Sequence, residues 1–83
     1  MVYDKVSKAI LRKLLYDTRI GGRHISEEDI QHGFPKHERG NVKDQLKKLV
    51  KDNLILKHPT SYGPQYALNP AKLAEIEKII EEE

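Results

Sequence analysis

Eighty-three residues make one small domain, and the chain carries no cysteine. A disulfide framework, a thiolate metal site and a cysteine nucleophile are therefore excluded together. No apolar run approaches the ~18 residues of a membrane span, and the amino-terminal segment mixes charges rather than reading as a signal peptide; a cytoplasmic protein without membrane contact is expected. The net charge of +2 hides a strong polarity. Residues 1–23 carry +4, 24–35 carry −3, 36–58 carry +4 and 59–83 carry −3, a pattern that suits a surface with one basic face.

The first helix is predicted from Tyr3 to Asp17, with Tyr3, Val6, Ile10 and Leu14 as its inner stripe and Ala9, Leu11 and Leu15 widening it. Thr18 to Arg23 breaks it, and Gly21-Gly22 supplies positions without a Cβ penalty. Arg23 to Ile25 reads as a very short strand. Ser26 is a helix start, since its hydroxyl can accept from the amide of Asp29, with Ile25 and Ile30 placed as a hydrophobic staple. Glu27, Glu28 and Asp29 complement the positive end of that helix dipole. This second helix should end at Gly33, with Phe34-Pro35 as the joint to the next.

A third helix is predicted over Lys36 to Asp52, with Val42, Leu46, Leu49 and Val50 at helical spacing. Gly40 weakens its first turn, and a start after Gly40 with Asn41 as cap is the alternative. Asn53 stops the helix because Asn tolerates the left-handed conformation. Leu54 to His58 and Gln65 to Leu68 read as strands around a Pro59–Pro64 turn, and alternation points Tyr66 and Leu68 inward. Asn69-Pro70 opens a last helix within residues 69–83, with Leu73, Ile76, Ile79 and Ile80 as its stripe. That stripe is a candidate face for a homodimer, or packs beside the first helix of its own chain.

The order is helix, short strand, helix, helix, strand, strand, helix, an α+β and mainly helical domain spanning 1–83. In this order, the run Asn41-Val42-Lys43-Asp44-Gln45-Leu46-Lys47-Lys48-Leu49-Val50-Lys51-Asp52-Asn53-Leu54-Ile55 resembles the winged-helix (winged helix-turn-helix) DNA-binding family, and is similar to small regulators that include many archaeal ones. Asn53 stands where that pattern usually has Gly. The approach from Gly33 to Val42 is about three residues longer than the usual turn of this motif, and Asp44 occupies a position where such regulators often place a polar DNA contact.

The resemblance implies a recognition helix over residues 36–52 and a wing over 57–65, contacting double-stranded DNA in transcription regulation or chromosomal binding. The candidate contacts on the helix are Lys36, His37, Arg39, Asn41, Lys43, Lys47, Lys48 and Lys51. Residues near the amino-terminal half of such a helix reach base edges and later ones meet phosphates. Arg39, Asn41 and Lys43 are thus expected to read bases, and Lys47, Lys48 and Lys51 to hold the backbone. On the wing, Lys57, Thr60, Ser61 and Tyr62 offer an ammonium and hydroxyl donors, the alternative for Tyr62 being to pack over the hairpin.

Asp44, taken at ~100° per residue, faces almost directly outward and favours a second reading, a winged-helix protein-interaction module. An RNA or ribosome-associated role is a third, weakened by the lack of an aromatic-rich sheet face. His32, His37 and Glu38 have zinc-ligand chemistry, but their spacing matches no dedicated motif. With no phosphate loop and no nucleophile motif, neither an enzyme nor a cofactor or small-molecule ligand is expected.

Overall fold

The computed structural model describes residues 3–82. Among them are four α-helices and one three-stranded antiparallel sheet, in the predicted element order. Helix α1 (Lys5–Tyr16) starts later than the periodicity implied. Asp4 caps it by accepting from the Ser7 amide at 2.8 Å, so Tyr3 lies ahead of the helix. Val6, Ile10, Leu11 and Leu14 are buried, and so is the polar Ser7. The helix closes in a Schellman motif: Thr18 N–H donates to the Leu15 carbonyl at 3.0 Å and Arg19 N–H to the Leu14 carbonyl at 2.8 Å. Thr18 takes φ +56°, so a β-branched residue, not the glycine pair, makes the first reversal.

Strand β1 (Ile25–Ser26) falls at the end of the segment expected to be extended. It leads straight into α2 (Glu27–Gln31), where the Ser26 Oγ accepts from the Asp29 amide at 3.1 Å. Ile25 and Ile30 are both buried, as a staple requires. Phe34 packs, half-buried, against the core.

The third predicted helix divides. Lys36–Glu38 is a 3-10 turn, and α3 proper runs Arg39–Lys51. Asn41 therefore lies inside the helix and is not its cap, and Gly40 is carried within the first turn. Val42, Leu46 and Leu49 are fully buried; truncating one of these leucines to Ala costs ~2–5 kcal/mol at such sites. A second Schellman motif ends α3. Asn53 N–H donates to the Val50 carbonyl at 3.0 Å and Leu54 N–H to the Leu49 carbonyl at 3.0 Å, with Asn53 at φ +65°. Leu49 and Leu54, the apolar pair that accompanies this cap, have no exposed surface.

Strands β2 (Ile55–Thr60) and β3 (Gly63–Leu68) are longer than predicted, and the turn shrinks to Ser61-Tyr62. Pro59 and Pro64 oppose each other inside the ladder; neither has an N–H, so they fit where the antiparallel pattern exchanges no bond. Neither Ser61 nor Tyr62 has positive φ, and Gly63, at φ +115°, absorbs the reversal. The sheet order is β1-β3-β2, with Ile25 opposite Tyr66 and Ile55 opposite Leu68. Tyr66 and Leu68 point inward as alternation required, yet Ala67 between them is also buried. On its side of the sheet the rings of His24 and His58 stack across β3 at 4.2 Å and 9°, a contact made over the central strand.

Asn69 accepts from the Ala71 amide at 3.0 Å and Pro70 opens a 3-10 turn, Pro70–Lys72, that leads into α4 (Leu73–Glu81). The α4 stripe is taken up within the chain. Ile76 and Ile79 are buried and Leu73 and Ile80 pack at the margin of the same core, with α4 against α1. No helix among the described residues is long and apolar enough to cross a membrane.

Candidate functional site

The burial of Val42, Leu46 and Leu49 decides which residues of α3 face outward. Asn41, Lys43, Asp44, Lys47, Lys48 and Lys51 are exposed. Lys43, Lys47 and Lys51 have no ion-pair or hydrogen-bond partner among the described residues, so their charge is available to a ligand. Asp44 lies among them and dilutes the field they create.

The other candidates on this element separate into different environments. Arg39 stands three positions before Val42, which turns it toward the inner side of α3. It is half-buried, with its Nε enclosed and without a partner, so it does not project with the lysines. Lys36 and His37 lie on the 3-10 turn ahead of α3, where the His37 Nε2 stands 3.7 Å from the Glu38 carboxylate. Lys48 is already engaged, since its ammonium lies 5.2 Å from the centroid of the Tyr3 ring. Cation–π attraction of this kind is worth ~0.5–1 kcal/mol at exposed sites, which removes Lys48 from the set of uncommitted phosphate lysines.

Tyr3 itself is fastened to the far end of α3, its hydroxyl donating to Asp52 Oδ2 at 2.7 Å. Burial, then the hydrogen bond to Asp52 and its charge, raise the Tyr3 pKa to about 12. Tyr66 makes the matching bond on the other side of the core, its hydroxyl donating to Glu27 Oε1 at 2.8 Å. Its burial and the Glu27 carboxylate push its pKa up further still. The hydroxyls of these two tyrosines are committed to Asp52 and Glu27, which anchors α3 and α2.

Asn41 is held by a relay that begins in the core. The buried Ser7 hydroxyl donates to Gln45 Oε1 at 2.7 Å, and Gln45 Nε2 donates to Asn41 Oδ1 at 3.2 Å. The relay restrains the Asn41 side chain and leaves its amide N–H groups pointing at solvent, where they can donate.

On the hairpin, Thr60 departs from expectation. Its hydroxyl donates to the Gly63 carbonyl at 2.6 Å and accepts from the Tyr62 amide at 3.2 Å, so its donor is spent closing the turn. Ser61 is exposed at the tip, and Tyr62 is 98% exposed rather than packed over the hairpin. Lys57 is exposed on β2, an edge strand. Asp52-Asn53-Leu54 joins α3 to the hairpin, and Leu46 and Leu49 of α3 share one core with Leu54 and Ile55 at the base of β2. The sequence gives no sign of the Tyr3–Asp52 and His24–His58 contacts, because nothing local marks a residue whose partner lies 49 or 34 positions away. No group of three or more His, Asp or Glu among the described residues could hold a metal ion.

No family model matches the chain, and neither a curated protein nor a solved structure matches it.

Proposed function

We propose that the chain is a DNA-binding winged-helix domain, with α3 as the helix that enters the major groove and the β2–β3 hairpin as the wing. The observation that carries this reading is the outward row Lys43, Lys47 and Lys51, which is exposed and unpaired on a helix whose opposite side is fully buried. Lysines supply point charges to phosphate oxygens, whereas sharp base reading favours the planar fork of Arg. The reading is therefore a backbone-dominated binder, with Asn41 as the side chain best held to meet a base edge. Exposed Tyr62 and Ser61 and the Lys57 ammonium are the hairpin groups left for a second contact.

The test is a salt titration of binding to a random duplex pool, followed by fluorescence anisotropy. Phosphate contacts release counterions, so affinity should fall steeply with salt, the log–log slope losing ~0.9 for each contact removed. Lys47→Glu with Lys51→Glu should weaken all duplexes alike, while Asn41→Ala should change preference among them. Absence of binding to every duplex at low salt sinks the proposal. Exposed Asp44, beside the lysine row, favours a second reading as a protein-interaction module. Asp44→Asn separates the two, since it should tighten duplex binding if the row meets phosphates. Competition with structured RNA distinguishes an RNA-associated role, and sedimentation reads whether two copies pair through α4.

A further inference from the structure

A second group of cations lies on α1. Lys5, Lys8 and Arg12 follow one another at spacings of three and four, on the side opposite buried Val6, Ile10, Leu11 and Leu14. With Tyr3 and Glu82 they line an open concavity of about 410 Å³. Side chains three and four apart on a helix are neighbours, and like charges in those places repel. Elsewhere α1 avoids this: Lys13 is set against Asp17 at 3.7 Å. Along the Lys5–Arg12 row no acid intervenes, and Lys5 and Arg12 have no ion-pair or hydrogen-bond partner among the described residues. Lys8 donates to the Glu82 carbonyl at 2.9 Å, which holds its ammonium at the concavity. The Tyr3 hydroxyl is committed to Asp52 and its ring carries Lys48, so Tyr3 forms a wall, not a donor. Among the described residues three cations thus line one concavity with one acidic residue, Glu82, and the Lys8 bond to the Glu82 carbonyl leaves Lys5 and Arg12 with no partner to offset their repulsion. A local rule broken without a structural gain points to a ligand.

We infer that this concavity is an anion site that takes a phosphate group, distinct from the outward row of α3. The Arg12 guanidinium supplies a planar pair of donors and Lys5 and Lys8 supply point charges, the combination that charge-assisted phosphate binding uses. The phosphate belongs to a nucleic-acid backbone or to a free phosphorylated small molecule; the recognising chemistry is the same. The inference does not rest on the proposed duplex binding by α3.

The experiment is a titration of the intact chain with inorganic pyrophosphate at low salt, followed by backbone amide NMR shifts. Saturable shifts at Lys5, Lys8 and Arg12 are expected. The K5E/R12E double variant should bind about ten-fold more weakly or worse, given what charged hydrogen bonds contribute, while Lys43→Glu with Lys47→Glu should titrate like the parent. Should charge reversal impair folding, seen in the circular-dichroism melt, K5Q/R12Q makes the same test. Shifts that fail to saturate, or a K5E/R12E or K5Q/R12Q protein that binds pyrophosphate as the parent does, overturn the assignment. A parallel titration with a short duplex identifies the source. Shifts on α1 together with α3 assign the phosphate to the nucleic-acid backbone, and shifts on α3 alone, with pyrophosphate still saturating α1, assign it to a small molecule.

Discussion

Replacing Thr18 by glycine should stabilise the protein. Thr18 closes the α1 Schellman motif at φ +56° and is exposed, with no side-chain hydrogen bond among the described residues. The left-handed conformation costs an L-residue ~1–2 kcal/mol, and a β-branched side chain is least suited to it. Glycine removes that strain but enlarges the unfolded ensemble, at a cost of ~0.5–1 kcal/mol. The two backbone bonds of the cap, at 3.0 and 2.8 Å, do not involve the Thr18 side chain and should persist. The net expectation is a gain of roughly 0.5–1 kcal/mol, or a rise in Tm of ~2–8 °C for a domain of this size. Asn53 holds the equivalent place after α3 at φ +65°, so Thr18→Asn should recover part of the gain and Thr18→Ala little of it. Thermal melts by circular dichroism, with urea titrations to check that the m-value is unchanged, measure all three. A Thr18→Gly protein with an unchanged or lower midpoint would refute the argument that strain at this cap limits stability.

Gly40→Ala should also stabilise, by ~0.5–1 kcal/mol, since a Cβ there meets nothing within 4 Å; urea midpoints test this, and a lower midpoint contradicts it. Ser7→Ala should cost ~1–3 kcal/mol, because Gln45 Oε1 loses its donor in a part-buried site, and should loosen Asn41, which NMR relaxation of its side-chain amide would register. The raised pKa of Tyr3, about 12, means that the fold prefers the neutral phenol. Its contribution is full below the unfolded value of ~10 and is lost as pH rises through 12. Chemical-denaturation midpoints across that window should decline less in Tyr3→Phe than in the parent.

The elements were legible because their signals are local. Apolar spacing at 3.6 and alternation at 2 set α1, α3, α4 and the hairpin, while Ser26, Asn53 and Asn69 marked helix ends through bonds to neighbours two or three residues away. The outward lysines of α3 followed from the same periodicity. Where the local signal was ambiguous, as with Gly40 at the start of α3 or the prolines of the turn, the boundaries moved. There the backbone answered to packing of Val42 and to strand pairing rather than to propensity.

Amino-acid order alone thus determined which faces are apolar, which helix is basic and where the chain reverses. Tertiary structure decided which polar groups remain available. Lys48 is drawn onto Tyr3 and Asn41 is tethered through Gln45 to Ser7; the Thr60 hydroxyl closes its own turn, and Lys5, Lys8 and Arg12 gather around one concavity. The physical reason is range. Periodicity and capping act over one to four residues, whereas the availability of a charge or a donor depends on whichever distant side chain the fold brings within about 3–6 Å of it.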